Sequence, residues 1–188
     1  MYSPRLTSPA CAHAPVAVSK VAEARQALLD GGEELDLVCN ISRVVSGDWD
    51  FVRADLQAVI DLTHAAGQQI KVIFENCFLT NDQKIRLCEI CTELGADWVK
   101  TSTGYGTSGA TFADLELMRR HSGPGVQVKA AGGIRDLAGV LRCRELGISR
   151  VGASATQSIL DEYRQQLGLP PLNVSTDRKS TRLNSSHT

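Results

Sequence analysis

Three lysines, Lys71, Lys100 and Lys129, recur at intervals of 29 residues. Each lies in or at the end of a short apolar run: 69–74, 97–101 and 126–130. An ammonium is a poor choice for a strand interior, because burying it without a partner is costly. At the mouth of a parallel barrel it has a use, since a neutral amine attacks carbonyls and forms a Schiff base. A single lysine at a strand end ordinarily snorkels to solvent. Three lysines spaced by one strand-helix unit can instead converge on one cavity. A second ammonium beside Lys100, together with partial desolvation, disfavours the charged amine. An ordinary lysine titrates near ~10.4 and a Schiff-base lysine works best near ~7–8, a difference worth about 4 kcal/mol.

Other residues add to this chemistry. Asp36 stands in the otherwise apolar run 35–39, where a carboxylate needs a partner; facing a lysine it can relay protons or form a structural ion pair. Glu75 and Asn76 follow the Lys71 run and read as polar lining of a pocket. Thr103-Gly104, Gly132-Gly133 and Ser154 fall just after successive strands. Free backbone N–H groups in glycine turns and at helix starts bind anions, and barrel enzymes often hold phosphate after their last two strands. Each glycine alone reads as a turn; together they point to phosphate. No nucleophile–histidine–acid arrangement is evident around His13, His64 or His121.

The elements that must position these residues follow from glycine stops and capping residues. Helices are expected over 19–30, 48–66, 80–94, 111–121, 136–147 and 154–167, with a capping box at Thr80–Gln83 and Ser19 and Ser154 opening the first and last. Strands are expected over 35–39, 69–74, 97–101, 126–130 and 149–153. This alternation predicts an α/β fold with parallel strands. A closed barrel of eight units typically needs ~250 residues. Five strands therefore read as a barrel lacking its first part or as an open doubly wound sheet. Chemistry-bearing residues at the end of every strand favour the barrel, since an open sheet concentrates them at one switch point.

The 188 residues carry a net charge of -1, 43% hydrophobic and 22% charged residues. This is ordinary globular composition with no electrostatic pull toward nucleic acid or anionic membranes. No apolar run reaches the ~18 residues of a membrane span, and residues 1–17 lack the apolar core of a signal peptide. Six scattered cysteines read as reduced thiols of a cytoplasmic protein; Cys88 and Cys91 have CxxC spacing but no further ligands for zinc, so no metal is expected. Asn40-Ile41-Ser42 matches a glycosylation sequon that has no meaning in that compartment. The polar, aperiodic stretch 177–187 resembles a translated sequencing adapter. The expected organisation is a non-matching segment 1–17, a catalytic domain over 18–170, and a disordered tail over 171–188.

Three motifs carry a family resemblance. Lys-Val-Ile-Phe-Glu at 71–75, Val-Lys-Thr-Ser-Thr-Gly-Tyr-Gly-Thr-Ser-Gly-Ala-Thr at 99–111 and Val-Lys-Ala-Ala-Gly-Gly-Ile-Arg at 128–135 resemble the deoxyribose-phosphate aldolases. The resemblance implies a (β/α)8 TIM barrel, with about five of eight units in this chain and its amino-terminal part missing. It implies a lyase, a class I aldolase that cleaves 2-deoxyribose 5-phosphate to glyceraldehyde 3-phosphate and acetaldehyde without a cofactor. By motif, Lys100 would form the Schiff base and Lys129 would lower its pKa. Asp36 would relay protons with water, and Lys71 would be an accessory lysine beside it. Thr103, Gly104, Gly132, Gly133 and Ser154 would bind the substrate phosphate. The family usually carries a second serine where Ala155 stands here. A homodimer or homotetramer acting on a phosphorylated sugar is expected. A related aldolase with another donor, and a non-catalytic fragment that binds sugar phosphates, are the alternatives.

Overall fold

A computed structural model describes residues 18–172. Five strands, β1 (Glu34–Val38), β2 (Gln69–Ile73), β3 (Trp98–Lys100), β4 (Gln127–Ala131) and β5 (Arg150–Gly152), form one sheet. They are all parallel and lie in the order β1-β2-β3-β4-β5. Seven α-helices connect or flank them: α1 (Val18–Leu29), α2 (Ile41–Val45), α3 (Trp49–Ala65), α4 (Asn81–Glu93), α5 (Phe112–His121), α6 (Leu137–Glu145) and α7 (Thr156–Gln166). Parallel crossovers are right-handed, so a sheet that always advances in one direction carries its helices on one face. A doubly wound sheet must reverse direction at a switch point. The unreversed order rules out the open-sheet alternative and leaves a partial TIM barrel.

Strand alternation sorts the side chains. Leu35, Leu37, Ile70, Val72, Val99, Val128 and Ala130 are buried in one apolar cluster with Leu56 and Ile60 of α3, Leu87 of α4, and Leu115 and Met118 of α5. Each such fully buried side chain contributes about 1.5–3 kcal/mol. The opposite, concave face receives Glu34, Asp36, Lys71, Trp98, Lys100, Lys129 and Arg150, the residues between. The helix-facing positions are apolar, so the charged residues of the strands gather on the concave face, beside Trp98 and Ile73.

Local caps account for the helix starts. Asp48 accepts from Phe51 N at the head of α3, and Thr80 and Gln83 form the expected capping box on α4. Thr111 and Asp136 cap α5 and α6. Two expected starts shift. Ser19 lies inside α1 rather than ahead of it, and Ser154 precedes Ala155, the residue in the N-cap position of α7, which supplies no side-chain hydrogen bond. The short α2 was not expected. Asn40, read from its sequon, is its N-cap and accepts from Arg43 N. A buried ion pair ties α1 to the sheet: Lys20 Nζ donates to Asp55 of α3 at 2.5 Å and to the carbonyl of Val38 at 3.0 Å.

No described helix is long and apolar enough to cross a membrane. The five described cysteines are free. Burial pushes the Cys39 and Cys88 thiols up to about 12, so Cys88 of the CxxC pair is an inert packing group. The described residues contain no His/Cys/Asp/Glu cluster fit for a metal ion. Residues 1–17, and all but the first two of 171–188, lie outside the described part.

Candidate active site

The parallel register places the four expected catalytic residues side by side. Asp36 pairs with Lys71 across β1 and β2, and Lys100 pairs with Lys129 across β3 and β4. All four side chains share the concave face; Lys100 ends β3, and Asp36, Lys71 and Lys129 stand at the middle of their strands. Lys100 Nζ donates to Asp36 Oδ2 at 2.8 Å. Lys71 Nζ stands 3.3 Å from Asp36 Oδ1 without a well-formed hydrogen bond to it, and donates instead to Glu34. Glu34 also accepts from Arg150 at 2.5 Å, and the Arg150 guanidinium stacks 4.0 Å over the Trp98 ring. The sheet is thus curled enough for its first and last strands to touch through side chains across the concave face. Glu34, Trp98 and Arg150 were not singled out from sequence. The signal was there: Glu34 and Trp98 stand two residues before Asp36 and Lys100 on the same alternating face, and Arg150 pairs in register with Lys129.

Three lysines and one arginine face two carboxylates, and the excess positive charge sets the titration. Burial pushes the Asp36 carboxyl up. The hydrogen bond from Lys100 and the charges of Lys100, Lys71 and Lys129 outweigh burial and hold Asp36 below the ordinary carboxylate value. At Lys129 burial disfavours the ammonium, the charges of Lys100 and Lys71 add to it, and Asp36 and Glu34 offset only part; the amine is held below its ordinary value. Among the described residues Lys129 forms no ion pair, whereas Lys100 and Lys71 both hold carboxylates. Lys129 thus stands beside the Lys100–Asp36 pair with its ammonium disfavoured by burial and by the charges of its neighbours.

The five expected phosphate-binding residues lie on the turns after β3, β4 and β5, at the end of the sheet where Lys100 stands. Their donors are only partly free. Gly132 N donates to the Gly152 carbonyl at 3.1 Å. Gly132 and Gly133 have φ of +70° and +79°, and a Cβ on Gly133 would lie 2.3 Å from the Ala110 carbonyl oxygen. Ala110 N in turn donates to the carbonyls of Ala131 and Gly132. The Gly-Gly pair therefore lets the loop after Lys100 pack directly on the turn after β4. Thr103 gives both its N–H and its hydroxyl to Glu75. Gly104 is exposed with φ +95°, and Ser154 is exposed ahead of α7. Glu75 and Asn76, expected to line a pocket, are both buried; Asn76 donates to Met118 Sδ and takes no substrate-facing position. Two cavities lie away from the lysines, one against α1 and Ala58 and one between α4 and the end of α5.

Comparison with known proteins agrees with this arrangement. A family model described as DeoC/LacD family aldolase matches residues 6–154. The deoxyribose-phosphate aldolase of Rhodopirellula baltica is 63% identical over 161 residues, covering 86% of this chain and 67% of that protein. Among solved structures, the aldolase QR15 superposes with a TM-score of 0.71 at 36% identity, over 81% of this chain and 71% of that one. A deoxyribose phosphate aldolase from Aeropyrum pernix, described as a unique tetramer, superposes with a TM-score of 0.70 at 29% identity, over 82% of this chain and 64% of that one. The chain spans about two thirds of the length of the curated relatives it matches. The family model covers most of the chain and the relatives agree with it, so the chain belongs to the DeoC/LacD aldolase family.

Proposed function

We propose that this chain carries the chemistry of a deoxyribose-phosphate aldolase, a class I lyase that cleaves 2-deoxyribose 5-phosphate through an imine on Lys100. The observation that carries the reading is the contact of Lys100 with Asp36, next to an amine, Lys129, held below its ordinary pKa. Asp36 orients the Lys100 amine, which must lose a proton through water before its nitrogen attacks the C1 aldehyde of the open-chain sugar. Loss of water then leaves an iminium at C1. Removal of the C3 hydroxyl proton lets the C2–C3 bond break, with its electrons passing into the iminium as an enamine. Glyceraldehyde 3-phosphate leaves. Protonation of the enamine at C2 and hydrolysis of the resulting iminium release acetaldehyde and restore Lys100. Asp36, acting with water, and Lys129 supply and receive these protons. Lys71, held by Glu34, keeps positive charge behind Asp36.

Gly104, the Gly132-Gly133 turn and the uncapped start of α7 after Ser154 form the anion-binding rim for the 5-phosphate. No metal or organic cofactor has a step in this scheme. A cytoplasmic homodimer or homotetramer is the proposed setting; the tetrameric description of the Aeropyrum pernix relative and the free thiols of the described residues, four of the five buried, support it. The test is acetaldehyde release from 2-deoxyribose 5-phosphate, run beside a panel of ketone and longer-aldehyde adducts. Release abolished by Lys100→Arg supports the reading. Turnover of another adduct alone would assign a different donor. Sugar-phosphate binding without any turnover would make this chain a binding fragment.

A further inference from the structure

Glu75 combines three features that the reaction scheme leaves unused. Its backbone is left-handed, φ 57° and ψ 62°, and among the described residues no other non-glycine has positive φ. Its side chain is buried, with the residue 4% exposed. Its carboxylate takes the N–H of Thr103 at 3.2 Å from both oxygens and accepts the Thr103 hydroxyl hydrogen as well.

Backbone pairing explains the conformation. Phe74 N donates to the Lys100 carbonyl and Asn76 N to the Thr101 carbonyl. The exit of β2 thus advances two residues while the exit of β3 advances one, and Glu75 absorbs the difference as a bulge. A left-handed non-glycine residue is strained and persists only where its surroundings over-determine it. Here the side chain is turned back over the loop that leaves Lys100. Gly106 closes the same clamp, since a Cβ there would lie 2.9 Å from Glu75 Oε1 and 2.7 Å from Cys77 Sγ. Thr103 Oγ1, held by Glu75, accepts from Tyr105 N at 3.0 Å, so the turn through exposed Gly104 is set by the same contact.

We propose that Glu75 is a positioning residue: it clamps the loop after Lys100 through Thr103 and so sets the geometry in which Gly104 meets the phosphate of the substrate. The proposal rests on the aldolase reading for its substrate and revises one part of it. The N–H and hydroxyl of Thr103 serve Glu75, and Thr103 contributes to phosphate binding by shape and not by donating. A carboxylate is well suited to this, because it holds two donors at once and repels the phosphate from the wrong side of the loop.

The experiment compares the full chain with Glu75→Gly and Glu75→Gln. Glycine relieves the left-handed strain and removes the clamp; glutamine keeps one acceptor for Thr103 N. Two readouts are taken. Amide exchange over residues 101–106, by mass spectrometry, reports the clamp without any chemistry. Borohydride trapping at Lys100 is measured with 2-deoxyribose 5-phosphate and with unphosphorylated 2-deoxyribose. Expected for Glu75→Gly are protection over 101–106 reduced at least tenfold and an apparent KM for trapping the phosphorylated sugar raised at least tenfold. Trapping of the unphosphorylated sugar should change less than threefold. Glu75→Gln should be intermediate, and it carries the test alone if the glycine variant misfolds. Unchanged exchange over 101–106 in the variants, or an equal loss with both sugars, would overturn the proposal. If the unsubstituted chain traps neither sugar, the aldolase reading fails while the exchange readout still decides the clamp.

Discussion

Replacing Asp36 by Asn isolates the electrostatic centre of the site. Asp36 is the carboxylate that Lys100 holds, and the side chains of Lys100 and Lys71 are 10% and 4% exposed. Removing one member of a buried pair usually costs about 3–5 kcal/mol, because the other charge is left without compensation. Two features reduce that here. Asparagine keeps an oxygen acceptor toward Lys100, and Lys71 keeps Glu34. About 2–3 kcal/mol remains at pH 7, which for a domain of this size corresponds to a Tm lower by roughly 5–10 °C. The pH dependence gives a second handle. The Asp36 carboxyl is lowered in the folded state, so its stabilisation is fully present above the unfolded value of about 3.9 and is lost as pH falls through the folded value. Urea unfolding of Asp36→Asn and the unsubstituted chain should therefore show a constant gap from pH 8 to 5, closing only below about pH 4. A gap under about 0.5 kcal/mol at pH 7, or one that closes between pH 8 and 5, would refute the reasoning.

Three further outcomes follow from the same geometry. Lys129→Met should slow imine formation while flattening the rise in stability toward high pH: a lysine lowered in the folded state opposes folding while charged, and that penalty is relieved as pH climbs from its folded value toward ~10.4. Urea titrations at pH 7 and pH 9.5 check the slope. Gly133→Ala should destabilise by about 2–4 kcal/mol, since φ is +79° and the new Cβ would meet the Ala110 carbonyl at 2.3 Å; thermal unfolding measures it. Ala155→Ser restores a hydroxyl at the uncapped start of α7 and should raise stability by about 1 kcal/mol, with KM for the phosphorylated sugar reduced several-fold.

Much of this site could be read before any coordinates, because strand side chains alternate strictly. In four short runs, 35–39, 69–74, 97–101 and 126–130, the charges Asp36, Lys71, Lys100 and Lys129 each follow an apolar residue, so alternation presents them to the face the helices leave open. Glycine stops and the Thr80–Gln83 box located helices to within two residues for the same local reasons. What escaped was set by tertiary pairing. The bulge at Glu75 depends on how β2 and β3 leave the sheet, which no local pattern encodes. The Glu34–Arg150 contact joins strands 116 residues apart and needs the curl of the sheet. Gly132-Gly133 reads as an anion turn in sequence, and in the structure it also makes room for Ala110. The lowering at Lys129 follows from its burial and from the charges of Lys100 and Lys71, which depend on side-chain placement across the concave face that no local pattern encodes.

Imine formation at Lys100 can be tested directly. The chain is mixed with acetaldehyde, reduced with borohydride, and the adduct mapped by mass spectrometry, with circular dichroism taken on the same sample. One reduced adduct is expected, at Lys100, lost in Lys100→Arg and retained in Lys71→Arg. A folded chain with no adduct, or with its adduct at Lys129 or Lys71 instead, would contradict it.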